Sequence, residues 1–155
     1  MNKKYFLNHS WKFKLSGGSN TPKELLPKLK LWQDAVVPGT VHTDLLNAGI
    51  IQNPFYADNE LTLQRISKCN WIYSTKFDMP PDFTKGNKTT LVFEGLDTIA
   101  DIYLNNKLIF KSENMFIAYD AEVSGLLKEK SNILKIIFYS PVKAEEKLEE
   151  KYGKL

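Results

Sequence analysis

From Trp71 to Met79 the side chains alternate apolar and polar with a period of two. Trp71, Tyr73, Thr75, Phe77 and Met79 fall on one side, and Ile72, Ser74, Lys76 and Asp78 on the other. A helix cannot use this spacing, whereas a strand with one face in a core requires it. Pro80-Pro81 ends the run, because proline has no N–H to give a ladder. Once one strand is half-buried in this way, others must lie beside it, and the sequence supplies candidates. Trp11, Phe13 and Leu15 alternate near the start. Thr89 to Glu94 reads as a strand with Leu91 and Phe93 facing away from Val92 and Glu94. Ile99 to Leu104 follows, then Asn105-Asn106, residues that tolerate positive φ, then Leu108 to Phe110, which together predict a hairpin. Phe116 to Val123 is a further candidate. In Asn132 to Tyr139 the residues Ile133, Leu134, Ile136, Ile137 and Phe138 predict burial on both faces. Short strands separated by turn signals imply an all-β, antiparallel sandwich or barrel with a few short helices.

Two stretches depart from this pattern. Val41, Leu45 and Ala48 have helical spacing, with Gly49 placed to end the helix. Asn59 is positioned to cap a short helical turn over Glu60 to Gln64. The tail from Val142 to Tyr152 is charge-rich, and its stripe of Ala144, Leu148 and Tyr152 makes a helix that needs a surface to pack on.

The balance of charges narrows the function. The 155 residues carry 21 basic and 18 acidic side chains, a net charge of +3, without a clustered basic face. Nucleic acid and membrane surface are therefore not expected as partners. The single cysteine, Cys69, excludes an internal disulfide. Lys3 and Lys4 resemble the basic start of an export signal, but Asn8, His9 and Ser10 break the apolar run that should follow. The compartment is left open, with a periplasmic or secreted home possible after signal removal.

Candidate chemistry is sparse. Asp58 and Glu60 flank Asn59 in a loop, and Asp97 and Asp101 bracket a turn and a strand, as turn-capping and solvated acids do. His9 and His42 are too few for a zinc site with the distant Cys69, and no calcium loop or phosphate cradle is legible. No metal or other cofactor is expected. Trp11 and Trp71 read as core; Trp32, beside Gln33 and Asp34, does not declare itself.

Taken in order, a series of short motifs resembles a known family. They are Pro38-Gly39-Thr40-Val41-His42, Asp44-Leu45-Leu46, Asn53-Pro54-Phe55-Tyr56 and Asp58-Asn59-Glu60. Trp71-Ile72-Tyr73 with Phe77, the run Phe93 to Asp101, Asn105, Asn114-Met115-Phe116 and Ser140-Pro141-Val142 follow. Together they are similar to the front of the β-mannosidases of glycoside hydrolase family 2. The resemblance implies a galactose-binding-like jelly roll over residues 1–141 and a charged helix over 142–155 leading toward further strands. With those strands missing, the sandwich is expected to be incomplete and prone to associate. It also implies a retaining parent enzyme that removes terminal β-linked mannose, with both catalytic glutamates in a barrel elsewhere, so no catalytic residue is expected in this chain. Its partners would be β-mannoside carbohydrate, through the parent enzyme, and C-terminal domains of the same polypeptide. Asp58, Asn59, Glu60, Arg65 and Trp71 are the residues expected to bind substrate or contact a neighbouring domain. Arg65 and Cys69 depart from the family, which tends to carry an aromatic and an acid there. The alternatives are a stand-alone carbohydrate-binding module, or the same domain of a β-galactosidase or β-glucuronidase.

Overall fold

The computed structural model describes residues 3–17, 23, 26–52, 60–80, 83 and 88–153, of which 60–63 are described in backbone only. Eight strands occur among them: β1 (Trp11–Gly17), β2 (Gln33–Ala35), β3 (Asn70–Phe77), β4 (Thr90–Phe93), β5 (Ile99–Leu104), β6 (Lys107–Ser112), β7 (Tyr119–Glu122) and β8 (Asn132–Tyr139). Six of them form one antiparallel sheet in the order β2-β1-β3-β8-β5-β6, and β4 pairs with β7 in a second.

Register explains why the period of two matters. Phe13, Tyr73, Ile136 and Ile102 lie in one row across β1, β3, β8 and β5, and they are 0%, 8%, 5% and 0% exposed. The flanking rows, Leu15-Trp71-Phe138-Ala100 and Trp11-Thr75-Leu134-Leu104, point the same way. Full burial of one such large side chain stabilises the fold by about 1.5–3 kcal/mol before entropy is counted. A slip of one residue would turn every one of them to water.

Polar side chains on the inner face all find partners, which leaves no orphaned buried side-chain N or O among the described residues. Thr75 donates to the His9 carbonyl at 3.0 Å, and Ser112 to that of Thr98 at 2.9 Å. Asn132, fully buried, accepts from the Lys128 N–H and from Asn105 Nδ2. Asn105 and Asn106 have φ of +52° and +68°, as the tight turn of the β5–β6 hairpin requires.

The second sheet and a set of helices cover the inner face. Leu91, Phe93, Tyr119 and Ala121 point inward from β4 and β7, and Phe110 of β6 stacks on Tyr119 and meets Phe93 edge-on. Helix α1 (Leu26–Leu29) contributes the buried Leu29, and α2 (Val41–Asn47) the buried Leu45. Ile66 near the end of α3 (Glu60–Ser67) joins the same cluster with Ile50, Ile51 and Leu96.

Two expectations need correction. β8 is fully buried on one face only: Ile133 and Tyr139, on the other, are 39% and 37% exposed. That outer face is a shared polar surface, where Asp101 accepts from the Tyr139 hydroxyl at 3.0 Å and pairs with Lys111 at 3.3 Å. The strand expected from Phe116 begins at Tyr119, because Asn114 Oδ1 accepts the Phe116 N–H and closes a turn there. The charged tail does form a helix, α4 (Pro141–Tyr152), capped by Ser140 through the Lys143 N–H. It buries no residue, and Leu148 and Tyr152 are 58% and 73% exposed.

Candidate functional site

The segment expected to face a ligand, Asp58 and Asn59, lies outside the described residues, as does the Glu60 side chain. Its two supports are described, and both are fixed. On the upstream side α2 begins at Thr40, whose Oγ1 accepts the Thr43 N–H. Asp44, 1% exposed, accepts the Val36 N–H at 2.9 Å and the Tyr73 hydroxyl at 2.8 Å. One carboxylate thereby ties α2 both to the chain leaving β2 and to the central strand β3. Burial of the Tyr73 phenol, then its bond to Asp44 and that negative charge, push its pKa far up. Gly49, at φ +64°, turns the chain out of α2, and Ile50 and Ile51 anchor it in the core.

On the downstream side Ile66 is 2% exposed, and the Ser140 hydroxyl donates to the Ser67 carbonyl at 2.7 Å. Lys68 pairs with Glu146 of α4 at 2.6 Å. The described residues on both sides of that segment, Ile51 and Ile66, are thus set into one core. Arg65 is exposed on α3 next to Ile66 in sequence.

Trp71 is corrected as a ligand-facing residue. It is 5% exposed, and its ring lies 5.9 Å from that of Phe13 in the core, where no sugar can reach its face. Trp32 is 45% exposed on the outer side, with the Lys14 ammonium 4.7 Å from its ring centre. His42 sits in the first turn of α2, and burial lowers its pKa.

Most of the recognisable motif residues serve the fold. Leu96 and Ala100 of the Phe93–Asp101 run are 4% and 1% exposed, and Asp101 orders the outer face. Ala100 lies beside Phe138 and Ser112 in register, where a larger side chain would collide. The clamp role of Asp44 was not legible: a charged residue at helical spacing beside Leu45 reads as exposed until Tyr73 is seen opposite it.

Comparison with known proteins gives this geometry a family. The glycosyl hydrolase 2 galactose-binding domain-like family matches residues 11–155. The chain is 38% identical to a β-mannosidase of Mus musculus over 142 residues, which is 92% of this chain and 15% of that protein. The crystal structure of a β-D-mannosidase from Dictyoglomus thermophilum superposes with a TM-score of 0.82 at 39% identity, over 96% of this chain and 17% of the other. A Faecalibacterium prausnitzii β-glucuronidase, at 22% identity and a TM-score of 0.58, shares the fold. The chain thus spans about a sixth of the length of the β-mannosidases it matches. Its layers, its register and these matches agree: this jelly-roll sandwich belongs to the galactose-binding-like domains of glycosyl hydrolase family 2.

Proposed function

We propose that the chain acts as the front accessory domain of a retaining β-mannosidase, bracing the catalytic barrel and forming one wall of its sugar pocket. The observation that carries this reading is the 38–39% identity to β-mannosidases over more than nine-tenths of the chain. We assign the wall to Asp58, Asn59, Glu60 and Arg65, which follow α2 in sequence and lead into the buried Ile66. Residues 1–141 are assigned to the sandwich, and the tail over 142–155, which contains most of α4, to the approach toward further strands. In support, Leu148 and Tyr152 on the apolar stripe of α4 are open to water.

Chemistry resides in the parent enzyme. A retaining hydrolase needs two carboxyl groups about 5–5.5 Å apart across a sugar. Asp44, the acid buried deepest among the described residues, is committed to Val36 and Tyr73 instead.

Calorimetric titration of the chain with mannose and manno-oligosaccharides tests the reading. An accessory wall completes a pocket only with its barrel, so no heat beyond dilution is expected. Saturable binding would instead make the chain a carbohydrate-binding module. A chromogenic β-mannoside should remain intact in its presence, and hydrolysis by the purified chain would overturn the proposal.

A further inference from the structure

The loop from Glu113 to Ala118, joining β6 to β7, combines exposure with rigidity. Met115, Phe116 and Ile117 are 42%, 86% and 48% exposed, three consecutive apolar side chains in water. Such a tip could simply be loose, but polar contacts fix its backbone. The Tyr119 hydroxyl accepts the N–H groups of Glu113 and Asn114 at 3.1 and 3.0 Å, and Asn114 Oδ1 accepts that of Phe116 at 2.8 Å. Tyr119 is itself stacked on Phe110, and Met115 touches Thr98 through its sulfur. A preordered aromatic with little left to lose on binding is the form that interface anchors take.

The surroundings specify the partner. Thr98 meets this loop through the Ser112–Thr98 and Thr98–Met115 contacts, and the Phe93–Tyr119 pairing brings the start of the 94–98 segment beside its end. Segments 94–98 and 112–118 hold three acids, Glu94, Asp97 and Glu113, and no base. An acidic rim opposes an anionic lipid surface and complements a protein cleft bordered by Lys or Arg. Building on the accessory-domain reading, we infer that Phe116 anchors this domain in an apolar, basic-rimmed cleft on the body of a β-mannosidase-type polypeptide. Val92, also 62% exposed, stands singly on β4 and makes the natural control.

The test mixes the 155-residue chain with Dictyoglomus thermophilum β-mannosidase lacking its homologous front segment, once circular dichroism has shown that body to be folded. Sedimentation velocity reads the association. Binding is expected, weakened about tenfold or more by Phe116→Ser and unchanged by Val92→Ser. Equal binding by wild type and Phe116→Ser overturns the anchor and leaves the accessory reading standing. No binding by the wild-type chain overturns the anchor, while the accessory reading is decided separately by the sugar titration. Co-sedimentation with phosphatidylcholine–phosphatidylserine vesicles, lost in Phe116→Ser, would replace the protein partner with a lipid surface and equally overturn the inference.

Discussion

The region around β1, β3 and α2 and the layer formed by β4 and β7 close the same core to different degrees. In the first, Trp11, Phe13, Trp71, Tyr73 and Leu45 are all 8% exposed or less, and a buried carboxylate locks helix to strand. In the second, Leu91, Phe93, Tyr119 and Ala121 stay half-buried, and among the described residues two strands stand where the opposite layer has six. The difference teaches that stability and openness are segregated. The half that holds the Asp44–Tyr73 clamp is sealed, and the half that carries the exposed Phe116 loop is open.

If that segregation holds, Phe13→Ala should give the largest effect. It removes a ring with no exposed surface from the centre of the sheet and should cost about 3–5 kcal/mol in urea unfolding followed by tryptophan fluorescence. Phe93→Ala, in the open layer, should cost about 1–2 kcal/mol, in line with its partial burial. Equal losses would mean that the layers are packed alike. Asp44→Ala comes next to the core deletion, at about 2–3 kcal/mol, because it strands both the Val36 N–H and the Tyr73 hydroxyl without a partner. Tyr73→Phe should cost less than Asp44→Ala, and a double-mutant cycle would expose their coupling. Native-state hydrogen exchange sharpens the comparison further: amides of β4 and β7 should exchange well before those of β3 and β8.

The smallest effect concerns pH. His42 has a pKa lowered below 6.5 by burial, so the folded state favours neutral imidazole. The unfolded chain takes up a proton first, and the resulting stability, present above pH 6.5, should be lost as pH falls through the folded-state pKa. His42→Gln should flatten that part of the stability profile. A variant with an unchanged profile would show that the imidazole is solvated.

Much of the fold was legible because it rests on local pattern. β5 and β8 occupy the residues predicted for them, and the Asn105-Asn106 turn and the Gly49 stop lie where their backbone tolerance requires. β2 and α1 were not foreseen, since three- and four-residue elements are too short to show a period. Phe116 was misplaced in a strand because apolar composition favours one, and the Asn114 side chain outcompetes the ladder only through a specific hydrogen bond. The candidate site was less accessible still. Trp71 was readable as core from its register with Tyr73, but the Asp44 clamp depends on residues 29 positions apart meeting in space.

The pairing of β3 with β8 joins Trp71 to Phe138 and Phe77 to Asn132, so the middle of the long sheet is made from distant parts of the chain. During synthesis the β5–β6 hairpin can close as soon as it leaves the ribosome, whereas β3 must wait for β8 to emerge. Until then β3, paired on one side by β1, keeps its other edge open beside Trp71 and Tyr73, where a passing strand could add before β8 emerges.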